Sequence, residues 1–263
     1  MLSMDQIQSF FPAQFRPFKR NLLREYLQYR ILEAVFASDT GRRLAFLGGT
    51  AIHIVHGNPR FSEDLDFDSR DVSTDAFAGI ASQVQRALAR EGYEVELAGI
   101  TRGHFRADLH FVGLLQRMGI TGHREEKLLM HLDAQPQEFA YAPDQAVLNK
   151  FGVLCRVNVV PVDILLAQKI ACILQRPRAI GRDFYDAIYL LGKTVPNAAY
   201  LAQKAGVESE AAMWEKLAAR CAGLDFKRLA GDLEPFVAGP DEARRIMLFR
   251  EFVAERRKAS AAP

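Results

Sequence analysis

Cysteine is scarce in this chain of 263 residues. The three present, Cys155, Cys172 and Cys221, lie far apart and form no CxxC pair. An odd, sparse set excludes a disulfide framework and makes a reducing cytoplasm the expected setting. An excess of charge of one sign is also missing. Lys and Arg number 34 against 32 Asp and Glu, a net charge of +2. That balance does not announce a nucleic-acid or strongly acidic partner. Long apolar runs are lacking as well. The most apolar stretch, Val159 to Leu174, contains Asp163 and Lys169 and falls short of a membrane span. The first residues show no basic stretch followed by an apolar core and cleavage site, so no secretory signal is expected. There is no internal repeat, no GxSxG elbow and no P-loop. Six histidines, at 53, 56, 104, 110, 123 and 131, are scattered. His53 and His56 are spaced i, i+3, but no third metal ligand is evident, so structural roles are expected. What is present is ordinary: 49% apolar and 25% charged residues. That excludes intrinsic disorder and collagen-like architecture and leaves one large domain or two modest ones.

Periodicity supplies the organisation. Apolar residues at helical spacing predict a helix over 16–38. Leu44 to Leu47 reads as a buried strand entering a Gly48-Gly49 turn, after which Thr50 is suited to cap a short helix through His56. Leu65 and Phe67 alternate with Asp64, Asp66 and Asp68, a half-buried strand with an acidic face. A helix over 74–91 is followed by strands at Tyr93–Leu97, 104–115 and 126–133. Residues 145–160 read ambiguously as a strand or hairpin arm. Pro161 opens a helix from Val162 to Gln175. A basic loop leads to another from Asp183 to Leu191, and from Ala198 onward the chain reads as helical, broken at Gly223 and near Gly239-Pro240, with the last few residues expected to fray. The fold class is therefore α+β with segregated elements, a mixed-sheet domain over 1–160 and a helical domain over 161–263, packed over a cleft.

The strongest local feature is Gly48-Gly49-Thr50, then eleven residues, then Ser62-Glu63-Asp64-Leu65-Asp66. Carboxylates at i and i+2 on a strand share a face, roughly 7 Å apart along the backbone. Hard oxygen ligands so placed suit magnesium, which keeps waters and takes substrate phosphates. Glycines let backbone N–H groups approach a polyphosphate closely, and a helix starting there aims its positive end at the anion. Lys169 is a charge on a mostly apolar helix, costly unless it is paired or reaches a cleft. Asp183 and Asp186 share one face of the next helix, with Arg182 at its start. Arg60 fits a phosphate-binding or strand-supporting role. The basic tail, Arg244 to Lys258, is read as a solvated helix face rather than an RNA track.

At this point the sequence resembles the nucleotidyltransferases of the DNA polymerase β-like superfamily. Within it, FLGGTAIHIVHGNPRFSEDLDFD is similar to the first motif of the AbiEii/AbiGii toxin family. DILLAQKIACILQRPRAIGRDFYDAIYLL is similar to the second and third, a helical lysine and an Arg-Asp-x-x-Asp sequence, and the resemblance runs from about Asn21 through Phe236. It implies a polymerase β-like core followed by a helical lobe that contributes to the nucleotide cleft. It implies Asp64, Asp66, Lys169 and Asp186 as catalytic residues. Gly48, Gly49, Thr50, Ser62, Lys169, Arg182 and Asp183 become nucleotide-binding residues. Relatives carry a third carboxylate on a later strand. Asp133 is the candidate here and Asp108 its rival, so Asp64, Asp66 and Asp133 form the expected set for Mg2+ or Mn2+.

The reaction so implied is attack of an acceptor hydroxyl on the α-phosphate of an NTP, with loss of pyrophosphate. The resemblance implies a cytoplasmic bacterial toxin of the abortive-infection type with a cognate antitoxin and a possible tRNA acceptor, and no membrane. Two alternatives use the same cleft: an NTP- or antitoxin-binding module without transfer, and a kinase-like phosphotransferase toxin.

Overall fold

The computed structural model describes residues 1–99 and 105–260. The start of the strand expected at His104, and the end of the tail expected to fray, lie outside the described residues. The chain forms two compact units, Met1–Gly57 with Phe61–Val160, and Asn58–Arg60 with the chain from Pro161 onward.

The first unit runs α1 (Met4–Ser9), α2 (Lys19–Phe36), β1 (Leu44–Leu47), α3 (Gly48–Ile54), β2 (Leu65–Ser69), α4 (Thr74–Arg90), β3 (Val95–Ala98) and β4 (Phe105–Phe111). It continues with α5 (Leu114–Arg117), β5 (Leu128–Pro136), β6 (Asp144–Lys150) and β7 (Val153–Val159). The strands form one mixed sheet in the order β3-β4-β5-β2-β1-β7-β6. β1 runs antiparallel to β2 and parallel to β7, and β2 runs parallel to β5. Period-two alternation buries Phe46, Phe67, Met130, Leu132, Ala107 and Leu109 on one face, where α2 and α4 cover the sheet. The expected α2 stripe of Leu22, Leu23, Tyr26, Leu27, Ile31, Leu32 and Val35 is buried against it. The opposite face carries the polar residues of β2, β4 and β5.

Two local expectations change. The strand expected to reach 115 ends at Phe111, because Gly113 turns the chain with φ +61° and opens α5. The ambiguous stretch after 145 is a hairpin, β6 paired antiparallel with β7. Its two turn residues, Phe151 and Gly152, have φ of +58° and +78°. A two-residue turn with both φ positive matches the twist of the strands it joins. Phe151 is strained there, and its buried ring packs edge-on against Phe10, Tyr26 and Tyr29.

The second unit is helical: α6 (Val162–Gln175), α7 (Gly181–Leu191), α8 (Ala198–Ala205), α9 (Glu210–Ala222), α10 (Phe226–Leu233), α11 (Pro240–Arg244) and α12 (Phe249–Ser260). It has more breaks than expected. Gly206 ends α8 in the left-handed region at φ +59°, and Ser209 caps α9 by accepting from the Ala212 N–H. The mixed sheet followed by helices is the α+β class expected. Among the described residues no helix is long and apolar enough to cross a membrane.

Candidate active site

The sheet register brings the acidic residues together. Asp66 on β2 lies directly opposite Asp133 on β5, and Asp133 lies opposite Arg106 on β4. Adjacent strands are about 4.8 Å apart, so these three side chains form one row across the polar face. Asp108, the rival third carboxylate, is registered opposite His131, and its Oδ1 is 2.7 Å from the His131 Nδ1. Burial pushes the Asp133 carboxyl above its ordinary value against the pull of Arg106 and His131, and the charge of Asp64 adds to the rise. Asp108 goes the other way. Burial raises it, but the hydrogen bond and charge of His131, joined by Arg106, hold it below its ordinary value. Asp68 is buried and accepts a hydrogen bond from the Tyr141 Oη at 2.6 Å.

The turn that leads into α3 lies against Asp66. A Cβ on Gly48 would sit 2.5 Å from the Asp66 Oδ2, and Gly48 has φ +80°. Only glycine combines that backbone with that approach. Gly48→Ala is expected to cost about 1–2 kcal/mol in backbone strain. It also displaces the carboxylate, which lowers nucleotide transfer by roughly a hundredfold, since misplacement of about 1 Å has that effect. Initial rates beside a thermal melt test this; an unchanged rate contradicts the close approach.

Thr50 is a correction. It does not cap α3, whose N-cap position is Leu47 with no side-chain cap. Thr50 is fully buried and its hydroxyl donates to the Asp64 carbonyl, so it ties α3 to the segment that enters β2. From the other side Gln28 of α2, also fully buried, donates to the Ser62 and Glu63 carbonyls at 2.9 and 3.2 Å. Arg24 pairs with Glu63 at 2.7 Å. Gln28 and Arg24 were not among the sequence candidates, and a polar residue inside an apolar helical stripe was the signal. His53 pairs with Glu25 at 2.8 Å, the structural role expected of it.

The second motif builds a different centre, inside the second unit. Asp186 is fully buried. Its Oδ1 accepts from the Arg60 Nε at 2.6 Å and the Asn58 Nδ2 at 2.8 Å. Its Oδ2 accepts from the Arg60 Nη2 at 2.6 Å and lies 3.0 Å from the Lys169 Nζ. Lys169 also reaches Asp183 at 3.1 Å, and Arg176 lies 3.4 Å from the other Asp183 oxygen. Burial raises the Asp186 carboxyl, but the charges of Arg60 and Lys169 outweigh it and hold it below its ordinary value. Burial lowers Lys169, and the charges of Asp186 and Asp183 overcome it and raise it. Both Asp186 oxygens are engaged, so this carboxylate acts on its neighbours. Arg60 is fully buried as well. Its fork grips Asp186 in a bidentate pair. Arg182 lies 4.4 Å from the Phe236 ring centre.

Other features stay apart from these residues. A cavity of about 310 Å³ in the second unit, lined by Leu201, Met213, Trp214 and Phe252 among others, contains none of the motif side chains. In the basic tail Arg244, Arg245 and Arg257 pair with Asp241, Glu242 and Glu215 on the surface.

A mixed sheet with a strand, a short helix that opens on Gly48-Gly49, and an Asp-x-Asp segment whose Asp66 lies opposite Asp133 has the arrangement expected of a nucleotidyltransferase core. Residues 30–258 match the family described as nucleotidyl transferase AbiEii toxin, type IV toxin–antitoxin system. The match covers most of the chain, and this protein belongs to that family. Membership makes it a nucleotidyltransferase toxin with an NTP substrate and a cognate antitoxin. In fold it is similar to the nucleotidyltransferase toxin MenT4 of Mycobacterium tuberculosis, at 18% identity and a TM-score of 0.59, covering 97% of this chain and 90% of that one. It is also similar to JHP933 of Helicobacter pylori, at 16% identity and a TM-score of 0.54, covering 92% and 94%. No curated protein matches the sequence significantly.

Proposed function

We propose that this toxin transfers a nucleotide from an NTP to an RNA hydroxyl, with tRNA as the acceptor, in a cytoplasmic reaction that depends on Mg2+ or Mn2+. The observation that carries the reading is the register of Asp66 against Asp133, with Gly48 closed onto Asp66. Asp64, Asp66 and Asp133 would hold the ion. Their donor set is all carboxylate oxygen, which fits a hard divalent cation. Among the described residues no three or more His, Cys, Asp or Glu side chains are grouped closely enough to hold a metal unaided. Magnesium suits such a site, because waters and substrate phosphates complete its shell. When bound, the ion neutralises charge developing on the phosphates.

The chain's own residues supply position and proton handling. Gly48 and Gly49 present backbone N–H groups to the triphosphate, and Ser62 adds a hydroxyl. The acceptor hydroxyl attacks the α-phosphorus in line. Its proton passes to a carboxylate, Asp66 or Asp133, the bond from the α-phosphorus to the bridging oxygen breaks, and pyrophosphate leaves. Asp186 would act by holding Asn58 and Arg60, which end four residues before Asp64, and Lys169 would tie Asp186 to Asp183.

Incubation with total tRNA and each of the four α-labelled NTPs in turn tests the acceptor. Labelled full-length tRNA that appears with magnesium and disappears with chelator is expected. Label on protein alone, or on no acceptor, overturns the tRNA assignment.

A further inference from the structure

We propose that Arg106 is a built-in counter-cation of the carboxylate row, and that a divalent ion reaches Asp133 by displacing it. The proposal rests on the metal reading above. Arg106 sits opposite Asp133 in the β4–β5 ladder, and its Nε is 3.8 Å from the Asp133 Oδ1 and 3.3 Å from the Asp108 Oδ1. Its Nη2 is 2.8 Å from the His131 Nδ1. The charge of Asp133 is the first influence on its guanidinium, and Asp64 contributes too, so one cation serves several acids.

A contrast inside the molecule separates a fixed arginine from a displaceable one. The Arg60 side chain is 2% exposed and meets Asp186 at 2.6 Å through two nitrogens. The Arg106 side chain is 48% exposed, and its 3.8 Å approach to Asp133 is an ion pair without a short hydrogen bond. Fork geometry makes arginine strong only where it docks bidentately. Arg106 therefore balances charge without locking the carboxylate, whose own side chain is 34% exposed. Asp66, next in the row, lies between Asp133 and Leu47 in the ladder. A second cation at Asp133 must share its oxygens with the guanidinium or drive it out, and like charges about 4 Å apart repel. The consequence is a site whose metal affinity is held down by its own chain.

Direct titration of the full-length protein with Mn2+, read by the electron paramagnetic resonance of the free ion, tests this without turnover. Arg106→Gln is expected to bind Mn2+ roughly tenfold tighter, the scale of one partly screened charge pair. Arg106→Lys, which keeps the charge, is expected to stay near wild type. Arg106→Gln at wild-type or weaker affinity, with a native circular dichroism spectrum, overturns the proposal and makes Arg106 a strand cross-link. Wild-type binding that persists in Asp66→Asn and Asp133→Asn puts the ion elsewhere and overturns the metal reading, and with it this one.

Discussion

Asp66→Asn is expected to lower nucleotide transfer by roughly a thousandfold, the scale set by removing one preorganised charge from a transition-state site. Its melting temperature stays at or above that of wild type. The two outcomes come from one geometry. Asp66 and Asp133 face each other across adjacent strands, and like charges directly opposite destabilise a sheet by about 0.2–1 kcal/mol. On the proposed reading, neutralising Asp66 takes a repulsion from the fold and a ligand from the reaction. Asp68, two residues on, behaves oppositely. Its carboxylate is buried and bonded to Tyr141. Asp68→Asn is expected to lower stability by about 1 kcal/mol while transfer remains measurable. Rates and melts on the two variants together test the assignment. A stable, fully active Asp66→Asn protein sinks it.

Asp186→Ala is expected to destabilise the protein by roughly 3–5 kcal/mol, because removing one member of a buried ion pair leaves buried positive charge without its main counter-charge. Here Arg60 loses a bidentate partner and Lys169 one of its two acids. The double variant Arg60→Met with Asp186→Leu is expected to recover most of that loss, since a packed apolar pair can replace a buried salt bridge. Transfer is expected to stay low in it, because the segment before Asp64 has lost its anchor. Recovery of transfer along with stability contradicts the positioning role. The pH dependence follows from the direction of each shift. Asp186 is held below its ordinary value in the fold. It contributes stability above its unfolded pKa and loses it as pH falls through the lower folded value. Lys169 is raised. Its contribution is complete below its unfolded pKa and is lost only as pH rises through the higher folded value, in strong alkali. Urea unfolding across pH is expected to show a smaller acid-side loss in the double variant than in wild type.

Local signals were readable where one segment decides its own structure. β1 at Leu44–Leu47 and α6 at Val162–Gln175 have the boundaries expected from apolar runs and Pro161. Asp64 and Asp66 stood out because a spacing of two is visible within one short segment, although β2 begins only at Leu65. What escaped depends on partners distant in the chain. The choice between Asp133 and Asp108 is set by the register of β5 on β2 and β4, and a slip of one residue would turn either to the other face. The hairpin turn at Phe151-Gly152 lacks an Asn-Gly or Asp-Gly signal, and rings from the α1–α2 loop and from α2 pack around Phe151. Arg60 and Asp186 are 126 positions apart, so nothing near either announces the pair. Thr50 looked like a cap because Gly-Gly reads as a turn, whereas the helix begins at the first glycine.

The α-phosphorus is where these carboxylates are expected to act, and the position of the label decides it. Wild type and Asp66→Asn, incubated in parallel with magnesium, total tRNA and NTP labelled at either the α or the γ position, give the most direct measurement. Label from the α position is expected on the acceptor with wild type and to vanish with Asp66→Asn, while label from the γ position leaves with pyrophosphate. Label from the γ position on the acceptor, or equal α-labelling by both proteins, contradicts nucleotide transfer at this site.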